Sequence, residues 1–398
     1  MQIKKVIAKS VKDSRGEKTI KVIVKTSKGK FVTSAPAGKS KGKFEAKSYA
    51  GSLNGDIGVV NGLDVGKFNK LKLKKFEDLK KIEKIIGKRL GANSLFALEA
   101  SLLKAMARES RQELWKFLGG KKENLKIRSV GNAIGGGLHS RGVKGKKPDF
   151  QEFLFIADCD NFSDCVKTNK IAYKLIKKFL GHKFFSFGKK RNDESAWETG
   201  ETNERVLQIM KKISEVIGEK RKLEIGVDIA SSSFYKNGKY FYKNPFRKLN
   251  KERQINYISR LVEKYKLFYV EDALEENDFS GFAELTRRVG DRCLIVGDDL
   301  IATNPRRLKK AIKNKSINAI IVKPNQIGSL IKVKEVIELA KKHKIAMIIS
   351  HRSGETKDNT IADLGVGFGC DFIKTGIYGK VREAKLKRLL QIEKKVNL

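Results

Sequence analysis

The first 35 residues alternate apolar and polar side chains, which is the pattern of strands with one buried face. Ile20, Val22 and Val24 show the alternation most clearly. Turn-forming residues interrupt it at 13–16 (Asp-Ser-Arg-Gly) and at 27–29 (Ser-Lys-Gly). The pattern therefore predicts a meander of antiparallel strands.

Between residues 78 and 120 the apolar positions take on a helical period, most clearly over 93–108. Asn93 or Ser94 is expected to cap this helix at its start. The apolar residues that would share one face of it are Leu95, Leu98, Leu102 and Met106. Together with the meander, this predicts a small α+β unit of roughly 120 residues.

From residue 223 onward, short apolar runs alternate with helical segments, as in a β/α barrel. The runs that predict strands are 223–227, 267–270, 294–296, 319–322, 345–349 and 372–373. A polar residue follows each run directly or after one residue: Asp228, Glu271, Asp298, Lys323, His351 and Lys374. Because the carboxyl ends of parallel strands meet at one rim, six such residues favour one site over unrelated surface charges.

These patterns predict an α/β protein with a small N-terminal α+β domain over residues 1–125 and a β/α (TIM-like) barrel over residues 126–398. The barrel would be the catalytic domain, and the first domain would cap it.

Composition adds a strong charge bias. The 398 residues include 86 Lys+Arg and 45 Asp+Glu, for a formal net charge of +41. This raises the expectation of an anionic substrate or partner. We see no apolar stretch near the roughly 18 residues of a membrane span and no signal-peptide pattern at the start. The four cysteines form no C-x-x-C pair, so we interpret them as reduced thiols of a cytoplasmic protein.

The three rim carboxylates Asp228, Glu271 and Asp298 suit Mg²⁺, because they offer hard oxygen ligands without Cys or His beside them. The alternative is that they pair with the surplus lysines. Lys323 and Lys374 would have depressed pKa values beside a bound cation, so that one of them could act as a base.

Removing a proton beside a carboxylate places a second negative charge on that group, which requires strong fixed positive charge. A partner acid must then protonate a leaving hydroxyl. Candidates are Glu152 and Glu194, with His139 as a further polar group near them. Arg352 and Ser353 follow a strand, and a guanidinium and a hydroxyl group can bind a phosphate through hydrogen bonds.

The chain resembles the enolase family of phosphopyruvate hydratases over nearly its full length. The resemblance rests on nine stretches: Asp-Ser-Arg-Gly at 13–16, Gly-Ala-Asn-Ser at 91–94, Gln-Glu-Phe at 151–153, Gly-Val-Asp at 226–228, Val-Glu-Asp at 270–272, Val-Gly-Asp-Asp-Leu at 296–300, Lys-Pro-Asn-Gln-Ile-Gly-Ser at 323–329, Ser-His-Arg-Ser-Gly-Glu-Thr at 350–356 and Ile-Lys-Thr-Gly at 373–376. A lysine base working with Mg²⁺ is the established pattern of this superfamily.

The resemblance implies a role for each site residue in converting 2-phosphoglycerate to phosphoenolpyruvate. Lys323 would be the base at C2, and Glu194 would be the acid, supported by Glu152. Lys374 would bind the substrate carboxylate. The remaining roles are these: Asp228, Glu271 and Asp298 for the first Mg²⁺, Ser40 for a second Mg²⁺ that arrives with substrate, Arg352 and Ser353 for the phosphate, and His139 and His351 for the pocket lining.

One departure from the family concerns the acid. Glu194 is followed by Ser195, Ala196 and Trp197, where the family usually has two glycines and then Phe or Val. The substitutions are expected to stiffen and enlarge this loop. Other departures are Leu138 before the pocket histidine, Ala273 in place of a proline, and Ser233 in place of a glutamate.

The favoured interpretation is therefore a lyase (hydro-lyase) of glycolysis and gluconeogenesis, present as a homodimer or an assembly of dimers. One alternative is a related dehydratase that acts on another phosphorylated acid. A second alternative is a basic scaffold for nucleic acid or another polyanion, and it would not require six chemically suited rim residues. We keep polyanion binding only as a secondary activity.

Overall fold

The computed structural model of the protein describes residues 1–39, 42–183, 190–218 and 221–396. The first unit contains a three-stranded antiparallel sheet in the order β1-β2-β3. Its elements are β1 (Ile3–Lys12), β2 (Lys18–Thr26), β3 (Gly29–Ser34), α1 (Leu53–Asn61), α2 (Val65–Lys70), α3 (Leu79–Ile86), α4 (Ala92–Glu109) and α5 (Leu114–Phe117), with short 3-10 helices at Phe76–Asp78 and Lys122–Leu125. The predicted meander and the predicted long helix are confirmed.

The predicted cap of α4 is wrong. The capping position is Gly91, and Asn93 and Ser94 lie buried inside the first turn. A side-chain cap is not needed there, because the backbone carbonyl groups of residues 47 and 48 accept the N–H groups of residues 92 and 93 at 2.8 and 3.0 Å. Glycine is required at the cap, since a Cβ on Gly91 would lie 2.2 Å from the Tyr49 backbone.

The second unit is a closed barrel wrapped by helices. Its elements are β4 (Arg128–Gly135), β5 (Glu152–Asp158), α6 (Phe162–Lys183), β6 (Trp197–Glu198), α7 (Asn203–Gly218), β7 (Lys222–Asp228), β8 (Tyr235–Lys236), β9 (Lys239–Lys243), β10 (Phe246–Leu249), α8 (Lys251–Tyr265), β11 (Tyr269–Glu271), α9 (Phe279–Val289), β12 (Leu294–Gly297), α10 (Pro305–Lys313), β13 (Ala319–Val322), α11 (Pro324–Ile327), α12 (Leu330–Lys342), β14 (Ala346–Ser350), α13 (Thr360–Gly367), β15 (Phe372–Lys374) and α14 (Lys380–Val396). Two short 3-10 helices lie at Gly137–His139 and Ser231–Phe234.

The barrel strands follow the order β4-β5-β7-β11-β12-β13-β14-β15, and β15 pairs with β4 to close the ring. All six predicted strands are confirmed. Strand β5 is antiparallel to both of its neighbours, whereas the other pairs are parallel. Its reversed direction brings its first residue, Glu152, beside Asp228 at the end of β7. The start of β5 therefore lies at the same rim as the ends of the parallel strands.

Apolar side chains fill the barrel interior, as expected for a barrel of eight strands. These side chains come from Val130, Leu154, Ile156, Tyr269, Val296, Ala319, Ile321, Ile348 and Phe372. A larger apolar cluster packs the helices against the outer face of the barrel and continues into the first unit. Among the described helices, none has the length and apolar character to cross a membrane.

A buried carboxyl group joins the two units. Glu99 on α4 is fully buried, and its Oε2 accepts the backbone N–H of Leu330 at 2.7 Å. This contact caps the start of the barrel helix α12. Burial raises the pKa of Glu99 well above its ordinary value of 4.5, and the charge of Glu83 acts in the same direction.

The substitution Glu99→Gln is expected to flatten the pH dependence of stability. The folded protein keeps the Glu99 proton to higher pH than the unfolded chain, so stability should fall as the pH rises above about 4.5. A glutamine retains a cap acceptor and cannot ionise. Urea unfolding between pH 4.5 and 8 tests this, with Glu338→Gln on the exposed face of α12 as the control. Equal slopes in the wild type and Glu99→Gln would contradict it.

Candidate active site

The rim of the barrel surrounds a partly open pocket. Most of the sequence-predicted site residues line it: His139, Glu152, Glu194, Asp228, Asp298, Lys323, His351, Arg352, Ser353 and Lys374. Glu271 is not part of the pocket lining, but its Oε2 accepts a hydrogen bond from the lining residue Lys374 at 2.7 Å. Ser40 falls outside the residues that the structure describes. The strand ends therefore bring most of the predicted site residues into one pocket.

Lys374 lies at the centre of a carboxylate cluster. Its Nζ is 2.7 Å from Glu271 Oε2, 3.0 Å from Asp228 Oδ2 and 3.1 Å from Glu152 Oε2. The lysine and its three partners are all buried. Burial acts to lower the pKa of Lys374, but the three carboxylates outweigh it and raise the pKa well above the ordinary value of 10.5. The ammonium form is therefore strongly stabilised.

Lys323 forms the second lysine contact, with Asp298 Oδ2. Burial acts to lower the pKa of Lys323, and Asp298 reverses this effect and raises it above 10.5. The depressed pKa values that we predicted for both lysines are therefore not found in the protein chain alone. The physical reason is that the carboxylates expected to hold a cation face the two ammonium groups instead.

The donor set fits a divalent cation. Glu271 Oε1 is buried and has no hydrogen-bond partner within the described part of the chain. Burial and the nearby charge of Asp228 raise the pKa of Glu271 well above 4.5. A carboxyl group crowded in this way gains most from a positive ion, because the ion removes the repulsion that favours protonation.

Two trios in the described residues have their ligand atoms within 4.8 Å of one another: His139, Glu152 and Glu194, and Asp272, Asp298 and Asp299. Only Asp298 of the predicted trio belongs to either group. Asp272 was not predicted as a site residue. The signal that could have identified it is its position directly after Glu271 at the end of a strand. Its carboxylate accepts the backbone N–H groups of Asp298 and Asp299 at 3.0 and 2.9 Å, which fixes the loop after β12.

The acid candidates Glu152 and Glu194 form a carboxyl pair around His139, and Glu152 also belongs to the cluster around Lys374. His139 Nδ1 is 3.3 Å from Glu152 Oε1 and 3.6 Å from Glu194 Oε1. Asn132, which was not predicted, donates to Glu194 Oε2 at 3.1 Å. Burial and the Glu194 charge raise the pKa of Glu152. Burial acts in the same direction on Glu194, but His139, His351 and Arg382 hold its pKa well below 4.5.

The strand end after β14 presents Arg352 and Ser353, the two residues predicted to bind a phosphate. Arg352 donates through Nη2 to both carboxylate oxygens of Glu45, at 2.9 and 3.0 Å. The Ser353 hydroxyl accepts the backbone N–H of Lys39 at 2.7 Å. Glu45 was missed because it lies in the N-terminal unit, more than 300 residues away from its partner. Its carboxylate pairs with the Arg352 guanidinium across the two units.

Arg382 on α14 was also missed. This buried guanidinium donates to His351 Nδ1 at 2.9 Å and to the backbone carbonyl groups of Arg352 and Ser353, each at 2.7 Å. Because arginine only donates, the neutral His351 ring carries its proton on Nε2, which is 3.7 Å from Glu194 Oε2. Burial and the charge of Arg382 hold the pKa of His351 well below 6.5.

Comparison with known proteins agrees with this geometry. A family model described as "Enolase, C-terminal TIM barrel domain" matches residues 127–397, and one described as "Enolase, N-terminal domain" matches residues 3–118. The chain belongs to the enolase family. The resemblance predicted from the sequence motifs is thereby confirmed, and so is the fold class of a small α+β domain followed by a barrel. The domain division at residue 125 stays a prediction.

Several curated relatives carry the name "Enolase". The protein from Thermoplasma acidophilum is 39% identical over 306 residues, which cover 76% of this chain and 75% of that protein. The Methanosphaera stadtmanae enolase is 39% identical over 333 residues, covering 80% of each chain. The Pyrobaculum aerophilum enolase is 40% identical over 324 residues, covering 81% of this chain and 75% of that protein.

Proposed function

We propose that this member of the enolase family is a phosphopyruvate hydratase, which interconverts 2-phosphoglycerate and phosphoenolpyruvate with Mg²⁺. The observation that carries the proposal is one pocket that combines two lysines, each beside carboxylates, with the carboxyl pair of Glu152 and Glu194. The first group suits removal of a proton beside a carboxylate, and the second suits protonation of a leaving hydroxyl.

We assign the base role to Lys323 and the carboxylate-binding role to Lys374. Asp228, Glu271 and Asp298 would hold the first Mg²⁺. When bound, the metal supplies the positive charge that a doubly charged substrate carboxylate requires. With Asp298 engaged by the cation, Lys323 would lose the contact that raises its pKa, so that it could release its own proton and take the C2 proton as a neutral amine. Lys374 would keep Glu152 as a carboxylate partner and remain a fixed cation. Ser40 is the proposed contact of a second Mg²⁺ that arrives with substrate.

We assign protonation of the leaving C3 hydroxyl to the pair of Glu194 and Glu152. Before substrate binds, the pKa directions favour the proton on Glu152 and the charge on Glu194. The anionic substrate would raise the pKa of Glu194, so that the pair's proton can move to Glu194 and then to the leaving C3 hydroxyl. His139 contacts both carboxylates and would keep them oriented.

The phosphate would bind at Arg352 and Ser353 and displace the Glu45 carboxylate from the guanidinium. His351, kept neutral by Arg382, would line the pocket between this phosphate position and Glu194. The exchange of one anion for another at Arg352 allows the buried arginine to stay paired both before and after substrate binds.

Ultraviolet absorbance of phosphoenolpyruvate tests the proposal. We expect product from 2-phosphoglycerate with Mg²⁺, none with EDTA, and recovery when Mg²⁺ is restored. A panel of other phosphorylated hydroxy acids serves as the specificity control. No product from 2-phosphoglycerate, together with turnover of another acid in the panel, would favour the alternative dehydratase.

The substitution Glu194→Gln is expected to lower the dehydration rate by about 10²- to 10⁴-fold, because an amide cannot donate the proton that the hydroxyl needs. Exchange of the C2 proton with solvent should persist, since it depends on Lys323. The neighbouring Asp193→Asn, at a half-exposed position, is the control and should keep both rates. Loss of C2 exchange in Glu194→Gln would contradict this assignment.

We also propose a cytoplasmic homodimer, or an assembly of dimers, on the basis of the family resemblance. Light scattering should then give a mass of at least twice the 44.8 kDa of one chain. The charge of +41 leaves polyanion binding as a secondary proposal, for which binding should weaken steeply with salt.

A further inference from the structure

The acid candidate Glu194 lies at the tip of a short hairpin formed by residues 190–198. Arg191 pairs with Trp197, and the backbone N–H of Asn192 donates to the Ala196 carbonyl at 2.9 Å. The Asn192 side chain also accepts the N–H groups of residues 194 and 196, each at 3.0 Å. The turn is therefore closed by hydrogen bonds on both sides of Glu194.

Ser195 has a left-handed backbone, with φ of +65°. This conformation is easy for glycine but unfavourable for a residue with a Cβ. A serine in this conformation persists only where the surroundings fix it. The turn is thus held in place by contacts outside its own sequence.

Those contacts come from an aromatic cluster behind the hairpin, formed by Tyr173, Trp197 and Tyr378. The Trp197 ring stacks on Tyr173 with centroids 5.2 Å apart, and the Tyr378 ring lies 4.6 Å from Tyr173. The Arg191 guanidinium covers the Trp197 ring at 4.6 Å. Stacked rings and a cation over a ring both add rigidity to a buried contact.

Two hydrogen bonds attach this cluster to the hairpin. Trp197 Nε1 donates to the Tyr173 carbonyl at 3.1 Å, and the Tyr173 hydroxyl donates to the Ser195 carbonyl, next to Glu194. Trp197 is only 4% exposed and is absent from the described lining of the catalytic pocket. Its side chain therefore packs behind the hairpin, outside the described lining of the pocket.

We infer that Trp197 and Tyr173 are positioning residues, which fix the Glu194 hairpin in its working shape before substrate binds. The inference rests on the proposed hydratase function and deepens it. Two glycines after the acid would allow the loop to change its backbone conformation when substrate binds. This chain has Ser195, Ala196 and Trp197 there, and an aromatic cluster packs behind them. The acid is thus preorganised by the fold.

Kinetics of Trp197→Ala test the inference. We expect kcat for dehydration to fall by about 10²-fold, the effect of a displacement of roughly 1 Å at a reacting group, with KM little changed. C2 proton exchange should keep its rate, because Lys323 lies elsewhere on the rim. Trp197→Phe, which keeps a ring in the cluster, should restore most of kcat. Equal losses of exchange and dehydration, or no loss of either, would overturn the inference.

Three further variants show whether an effect of Trp197→Ala comes only from unfolding or from the loss of a large buried side chain. Tyr173→Phe removes only the hydroxyl bound to Ser195 and should also lower kcat without changing C2 exchange. Its control is Tyr265→Phe, since the Tyr265 hydroxyl is buried and has no partner within the described residues. Trp115→Phe is the control for loss of a buried indole and should keep full activity. If Trp197→Ala does not fold, an unchanged kcat in Tyr173→Phe overturns the inference.

Fluorescence gives a test that does not depend on turnover. The chain has two tryptophans, so Trp115→Phe leaves Trp197 as the only reporter. We expect acrylamide quenching of Trp197 to be weak and equal with and without Mg²⁺ and phosphoenolpyruvate. Protection that develops only with these ligands would show that the hairpin forms on binding, and would overturn the inference. Failure of the hydratase function would instead appear as absent turnover with the same quenching.

Discussion

Replacing Lys323 with alanine is expected to lower phosphoenolpyruvate formation by about 10⁴-fold, the upper end of what a positioned general base contributes. Lys323 follows β13 at the rim, and its backbone N–H donates to the Thr303 hydroxyl at 2.9 Å, which fixes the start of the side chain. Its ammonium contacts Asp298. The variant removes both the base and a cation from the pocket.

The C2 proton of 2-phosphoglycerate should also stop exchanging with solvent in Lys323→Ala, because this step precedes departure of the hydroxyl. The exposed Lys309→Ala on α10 is the control for loss of one lysine and should keep both rates. Substantial C2 exchange in Lys323→Ala, with normal exchange in the control, would move the base role to another group.

The substitution Glu271→Gln is expected to separate metal binding from folding. Burial and the Asp228 charge raise the pKa of Glu271, so both oppose its charged form, and a neutral amide avoids that cost. Thermal stability without Mg²⁺ should therefore not fall. Stabilisation by added Mg²⁺ should disappear, and activity should drop by about 10³-fold, in line with the several kcal/mol that a metal contributes.

Thermal unfolding with and without Mg²⁺ measures both effects in one series. Glu263→Gln, at an exposed position on α8, is the control and should retain the Mg²⁺-dependent rise in Tm. A Glu271→Gln protein that is stabilised by Mg²⁺ as strongly as the wild type would exclude Glu271 as a ligand. A large loss of stability without Mg²⁺ would show that the carboxylate serves the fold through Lys374.

Six of the parallel strands were predicted well, because each is a short, mostly buried apolar run followed by a polar residue. Strands β4 and β5 were not predicted. Strand β5 runs against its neighbours, so its functional residue, Glu152, stands at its start and breaks the pattern that identified the other rim residues. The direction of a strand depends on tertiary pairing, which hydrophobic periodicity does not encode.

The site residues that were missed have a common cause. Glu45 reaches Arg352 from the first unit, and Arg382 reaches His351 from the last helix. Neither shows a local pattern beyond that of a charged residue in a loop or helix. The raised pKa values of Lys323 and Lys374 could not be predicted for a similar reason. They depend on which carboxylates contact each lysine in the folded protein.

Proton NMR of 2-phosphoglycerate with the protein and Mg²⁺ in D₂O tests the central claim most directly. One sample reports both the loss of the C2 proton signal and the appearance of the vinyl protons of phosphoenolpyruvate. We predict both signals with the wild type, C2 exchange alone with Glu194→Gln, and neither with Lys323→Ala. A wild-type protein that is folded and loaded with Mg²⁺, yet leaves both signals unchanged, would contradict the hydratase function.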